Sequence, residues 1–417
     1  MELGKYSLGV GDRFGMQGSS LLKAFEIAAS QGISITPVWN KSHREHKLTG
    51  TRPAEVRIEA DEAVKLSGWK SGYFVDADHI NEKNVEDFIG SSDFFTIDVA
   101  EYIGVDPGTS AIGSSVNRNL KYSGSLSIPG LADPFTITRE FLAETSRMFL
   151  KAAEQAGLIY KYIENRKGRG NFITEVSMDE VGRSQSPAEL FFILGFLSQE
   201  GIPVNTIAPR FTGSFHKGID YSGDVNLFES EFEQDLFVVD LAKTEFGLPA
   251  NLKLSVHSGS DKRSIYPVIN RLLRKYNSGI HLKTAGTTWL EEFTGVILSG
   301  SKGHEFGISL YKQALNRYEE LIGPYAYVTR INLSNLPDKR KIDSWSAGEF
   351  ARAVMHNDAD ECYNPDLRQF IHLSYKIAAE NIGDYKQLVM ENPQQIAKRV
   401  TDNIYTNHIK PIFSNRK

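Results

Sequence analysis

The sequence predicts an α/β fold: a closed (β/α)8 barrel of the TIM type with a mostly helical C-terminal extension. Three observations predict it. Strand-like and helix-like segments alternate eight times between residues 6 and 298; such alternation makes a parallel sheet, and eight units close it. Ionisable side chains stand at the ends of nearly every strand segment, where barrels of this type keep their reacting groups. At 417 residues the chain is long for one ordinary domain but not for an α/β barrel. A doubly wound open sheet is the alternative topology. The barrel is expected over 1–299, with 300–417 packed on it as helices.

Each unit begins with a β-branched or aromatic run, passes a Gly, Asp or Ser cluster, and continues into a longer stretch of helical period. Strand one is read at 6–13 (YSLGVGDR) with a helix at 19–30. Strand two follows at 33–39 with a helix at 54–67, and strand three at 72–79 (GYFVDADH) with a short helix at 84–89. Strand four at 94–99 (FFTIDV) has a long connection, a Gly/Ser/Asn-rich piece at 108–124 and then an amphipathic helix at 138–161. Strands five to eight are read at 171–175, 203–208, 251–257 and 279–283, with helices at 187–200, 226–245, 265–276 and 288–298. A further excursion is read at 325–333 (YAYVTRINL).

Composition narrows the function. Apolar residues make up 41% and charged residues 24%, as in a folded globular protein. The formal net charge of −5 gives no basic face of the kind nucleic acid needs. The single cysteine, Cys362, excludes an internal disulfide and a cysteine metal cage, and fits a reducing cytoplasm. No signal peptide is expected from Met1 to Gly9, and no stretch has the roughly 20 apolar residues that a bilayer span requires. Gly9, Gly11, Gly15 and Gly18 lack the spacing of a dinucleotide loop, and tight turns explain them better.

The strand ends carry the chemistry. In order they hold Asp12-Arg13; Trp39-Asn40-Lys41; Asp76, Asp78 and His79; Asp98; Glu175; His216, Lys217 and Asp220 beyond strand six; His257 to Ser260; and His281, Lys283 and Thr284. Burying so many charges is costly unless they pair or bind a metal. Alternation turns Leu254 and Val256 outward and Ser255 and His257 inward, and on strand eight it turns His281 and Lys283 inward. Two imidazoles on adjacent strands are placed to share one metal ion. On strand three, strict alternation sends Asp76 and Asp78 to one face and His79 to the other, so only one of Asp78 and His79 reaches the site unless the chain turns there. Each histidine also reads as a core residue, and Asp98 and Glu175 as internal ion-pair residues. His43 and His46 read as surface residues of a polar loop. His304, His356, His372 and His408 read as inert residues of the extension, and the acidic stretch 229–235 as a solvated helix face.

The segments GDRFGMQG, FVDADHI, SSDFFTIDVA, HSGSDKRSIYP, HLKTAGTTWLEE and YNPDLRQFIHLSYKIAAE, between residue 11 and about 380, resemble the tagaturonate epimerase family. The resemblance implies a metal-dependent, cytoplasmic isomerase of hexuronate breakdown that interconverts D-tagaturonate and D-fructuronate. It implies Asp78 and Glu175 as catalytic acid/base groups and His79, His257 and His281 as ligands of one divalent ion, zinc, manganese, cobalt or nickel. Lys217, Asp220, Lys262 and Thr284 are the expected substrate contacts, with Lys217 or Lys262 on the carboxylate. At position 216 the family more often has Asn, which puts His216 in doubt as a ligand. The expected reaction is retro-aldol cleavage, rotation of the aldehyde half and re-addition. A metal-dependent aldolase or aldose–ketose isomerase, and a sugar-acid binding protein without turnover, are the alternatives.

Overall fold

The computed structural model describes residues 1–179, 181–284, 286–325 and 328–414. Among the described residues ten strands occur: β1 Tyr6–Val10, β2 Thr36–Ser42, β3 Phe74–Ile80, β4 Phe94–Asp98, β5 Gly124–Leu126, β6 Phe135–Ile137, β7 Ile173–Ser177, β8 Thr206–Ala208, β9 Lys253–His257 and β10 Ile280–Lys283. Eight of them close a ring in the order β1-β2-β3-β4-β7-β8-β9-β10, each parallel to its neighbours, and β10 pairs back onto β1. β5 and β6 form a separate antiparallel pair inside the β4–β7 connection.

Local chemistry explains the elements. In β9, Leu254 and Val256 are fully buried on the outside, beneath the helices, while Ser255 faces the axis. The helix Pro187–Gln199 starts with a capping box between Ser186 and Glu189 and a proline in its first turn, and its interior is apolar all round because neighbours cover it. The helix Thr109–Asn119 lies within the segment read as Gly/Ser/Asn-rich. A second unforeseen helix, His43–Thr49, follows β2 directly. Ser42 and Glu45 cap its start, and Gly50, at φ 67°, ends it. Seven residues are too few for a helical period to show in the sequence.

The helices from Ser301 onward share one apolar core with the barrel. Trp289, fully buried, donates from Nε1 to Ile371 O at 2.8 Å, and Tyr385 OH bonds Glu292 at 2.9 Å. Tyr325 and Val328 reach the barrel mouth itself. Residues 326 and 327 of the expected 325–333 excursion lie outside the described residues, and 333–335 form a short 3-10 turn. No helix among the described residues is long and apolar enough to cross a membrane.

Candidate active site

A cavity of about 500 Å³ opens at the C-terminal ends of the barrel strands. It is lined by the acidic and imidazole groups Asp78, His79, Asp98, Asp179 and His257 with Lys283, and by the cations Arg13, Arg44, Arg210 and Lys217.

β3 resolves its own parity conflict. Its register against β4 shifts between Ala77 and Ile80, and His79 adopts a left-handed backbone at φ 52°. A residue other than glycine pays roughly 1 kcal/mol or more for that conformation. The result is that Asp78 and His79 both face the cavity, which regular pleating forbids.

His79, Asp179 and His257 each offer a ligand atom within 4.8 Å of the others. The far side of each imidazole is held by a carboxylate: His79 Nδ1 lies 3.1 Å from Asp98 Oδ2, and His257 Nε2 lies 2.9 Å from Glu175 Oε1. Carboxylates behind imidazoles are the arrangement that orients metal-binding histidines. His257 Nδ1 sits 3.1 Å from Asp179 Oδ2, yet it is buried and finds no hydrogen bond of proper geometry. A nitrogen orphaned beside a carboxylate is what a site shaped for a shared cation presents. The residues therefore fit a divalent ion.

Beneath this cluster Lys283 Nζ touches three carboxylates: Asp76 at 2.7 Å, Asp78 at 2.8 Å and Glu175 at 3.1 Å. Burial pushes Asp78 up, but the Lys283 ammonium and the His79 imidazole overcome it and hold its carboxyl at about 2. Asp76, fully enclosed, goes the other way. Burial, only partly opposed by Lys283 and reinforced by Asp78 and Glu175, raises it to about 7. Burial lowers His257, but Asp179 and Glu175 outweigh it and lift the imidazole to about 9. A metal bound there displaces protons.

Several residues singled out from the sequence lie elsewhere. His281 points inward as its parity requires, but β9 and β10 pair His257 with Lys283, so His281 stands two residues, or about 7 Å along a strand, deeper. There it bonds Ser7 Oγ at 2.9 Å and packs against Phe94 with ring centroids 5.1 Å apart. Burial lowers it to about 3. The structure thus separates His281 from His79 and His257, and Asp179 stands where a third ligand was expected. On addition of Zn²⁺ the ring resonances of His79 and His257 are expected to move in an NMR titration, and those of His281 to stay fixed and neutral down to pH 5.

Glu175 does not line the cavity. Thr206 Oγ1 at 2.7 Å, Thr96 Oγ1 at 3.1 Å, His257 and Lys283 enclose it, which suits an anchor for His257 better than an acid/base group. Lys262 is fully buried and donates to His216 O, Ile219 O and Ser260 Oγ. Thr284 Oγ1 bonds His408 Nε2 at 2.8 Å. Asp220 caps the turn at Ser264. These three, like His216, lie off the cavity wall; of the expected substrate contacts only Lys217 lines it.

His43, read as a surface residue, lines the cavity because the helix His43–Thr49 leans over the mouth, and His46 is buried against Thr51. His372, read as inert, packs behind Arg13, accepting from it at both its carbonyl and Nε2. Asp235, within the stretch read as solvated, is buried. The sequence reading of strand five stops at Glu175, four residues short of Asp179. β7 runs on to Ser177, and the alternation Glu175, Ser177, Asp179 then points to it.

Comparison with known proteins identifies relatives over nearly the whole chain. The sequence profile of the tagaturonate epimerase family, UxaE, matches residues 1–412. The tagaturonate/fructuronate epimerase of Thermotoga maritima is 27% identical over 388 residues, which span 88% of this chain and 72% of that protein. A glycerol-complexed crystal structure of the fructuronate-tagaturonate epimerase UxaE from Cohnella laeviribosi superposes with a TM-score of 0.80 at 25% identity, covering 98% of this chain and 81% of that one. The native crystal structure of the same enzyme gives 0.78 at 24% identity over 98% and 81%, and shows the fold alone. With a barrel, a strand-end site and a family match that runs through nearly every residue, the chain belongs to the tagaturonate epimerase family and is, with it, an isomerase.

Proposed function

We propose that this chain interconverts D-tagaturonate and D-fructuronate in the cavity at the barrel mouth, with one divalent ion held by His79, Asp179 and His257. The observation that carries the reading is the convergence of those three ligand groups, each imidazole backed by a carboxylate, beside the ionised Asp78. Imidazole with carboxylate suits zinc, manganese, cobalt or nickel. Such an ion supplies Lewis-acid stabilisation of oxygen charge next to the ketone.

The two uronates differ at a carbon once removed from the ketone, so its C–H is not acidified by the carbonyl. Loss of the hydroxyl proton at that carbon, cleavage of the adjacent C–C bond, rotation of the aldehyde half and re-addition invert the centre without breaking the C–H bond. Asp78, exposed to the cavity and kept ionised by Lys283, takes and returns the hydroxyl proton. Glu175 serves by fixing the imidazole of His257. Lys217, which lines the same cavity, holds the substrate carboxylate.

The test is to strip the protein of metal, resupply each of the four ions, and follow D-tagaturonate by chromatography. Fructuronate must appear with at least one ion. Released fragments indicate an aldolase, a shifted carbonyl an aldose–ketose isomerase, and binding without product a non-catalytic protein; any of these overturns the reading. Asp78→Asn is expected to lower kcat by about 10²- to 10³-fold while bound metal stays at the wild-type level, checked by turnover and elemental analysis.

A further inference from the structure

Lys217 sits on a loop whose backbone is gripped from below. Lys262 Nζ donates to the carbonyl of His216 at 3.1 Å and to that of Ile219 at 2.7 Å. Its third N–H goes to Ser260 Oγ at 2.7 Å, and Ser260 Oγ itself donates to Ile219 O at 3.1 Å. Arg368, from the helix Pro365–Leu373, donates from Nε to the carbonyl of Gly218. The carbonyls immediately before and after Lys217, and the next one along, are therefore all held by buried cations. Gly218, at φ 83°, adopts a left-handed backbone that residues with a Cβ rarely take, and this sets the course of the loop beside Arg368 and Gln369.

The two cations are tied together. Asp261, next in the chain to Lys262, accepts from Arg368 at 3.4 Å and bonds His356 Nδ1 at 3.2 Å, with His408 Nε2 3.2 Å away. Lys262, Arg368 and Asp261 are all fully buried. Keeping a lysine and an arginine out of water is expensive, and methionine or leucine would fill the space without that penalty. Lys262 spends every donor on one loop and its strut, and Arg368 adds a bond to the same loop. What these bonds fix is the course of the backbone that presents Lys217 to the cavity.

We infer that Lys262 of the barrel and Arg368 of the C-terminal extension are positioning residues for Lys217, and that they set the affinity for the substrate carboxylate rather than the rate of the chemistry. The inference rests on the proposed contact between Lys217 and that carboxylate.

The experiment compares wild type with Lys262→Met, which keeps length and removes the donors, and with Lys262→Gln, which keeps amide donors for the carbonyls. Dissociation constants for D-tagaturonate and for D-tagatose, its neutral counterpart with hydroxymethyl in place of carboxylate, are measured by calorimetry alongside KM and kcat. Lys262→Met is expected to raise the Kd and KM for tagaturonate about tenfold, to change the Kd for D-tagatose by less than about twofold and kcat by less than about threefold, with Lys262→Gln recovering part of the loss. Equal losses for both sugars, no loss, or a fall in kcat at constant KM overturns the inference. If Lys262→Met does not fold, Lys262→Gln and Ser260→Ala decide by the same ratio of the two Kd values. Wild type that binds tagaturonate no more tightly than D-tagatose also overturns it. Wild type that binds tagaturonate selectively but forms no fructuronate defeats the epimerase reading alone, and the Kd ratio then decides the positioning role.

Discussion

His257→Ala is expected to abolish both the metal binding proposed for the barrel mouth and turnover, while leaving the barrel intact. The residue offers Nδ1 to the cluster with His79 and Asp179, and its Nε2 is pinned by Glu175. Losing one of three ligands from a site of this kind leaves two groups that cannot hold the ion at ordinary concentrations. Bound metal should fall from about one per chain to below about 0.1, and kcat/KM by at least about 10³-fold. The fold should persist, because Glu175 keeps Lys283, Thr96 and Thr206, and Asp179 keeps Ser177. Elemental analysis, turnover and circular dichroism check the three parts. A variant that turns over at the full rate removes His257 from the site.

Lys283→Met is expected to be the most destabilising single change in the barrel. It takes one ammonium from among Asp76, Asp78 and Glu175, all buried, and leaves carboxylates facing each other. Breaking a buried ion pair from one side costs about 3–5 kcal/mol. The pH dependence follows from the sign of each shift. In the native protein Asp78 and Glu175 are depressed by Lys283, so their contribution is present above the unfolded carboxylate range and lost as pH falls through the folded value. Without Lys283 both carboxyls lose their largest lowering charge and rise, which shifts the balance toward the protonated folded state. The deficit of the variant relative to wild type should therefore shrink between pH 7.5 and pH 5.5 in urea unfolding. A deficit that stays constant with pH shows that packing, not charge, made the loss. Arginine is not a substitute, because a planar fork cannot take the place of a compact ammonium among three carboxylates.

Much of the site was legible because β-strands alternate. The inward placement of His257, Lys283 and His281 follows from the pleat, and the structure places all three as the pleat requires. What alternation cannot say is depth. His281 and His257 are both inward, but register puts them on different layers, and register is a property of two strands, not one. Asp78 and His79 show the opposite limit: a bulge and a left-handed residue let neighbours in sequence face the same way, against the period that made the rest readable. Lys262 and Thr284 lie close to strand ends in the sequence, yet their side chains bond Ile219 O and His408 and do not line the cavity, so proximity in sequence did not become proximity to substrate.

By itself the sequence determined the barrel, its eight units and the end at which the charged groups collect, since these follow from local period and from the cost of burying charge. The choice of Asp179 over His281 beside His79 and His257, the retreat of Glu175 behind His257, and the grip of Lys262 and Arg368 on the Lys217 loop were decided only by the tertiary structure. Each depends on how far one strand slides past the next and on which distant helix covers the mouth, and those are set by the packing of the whole chain.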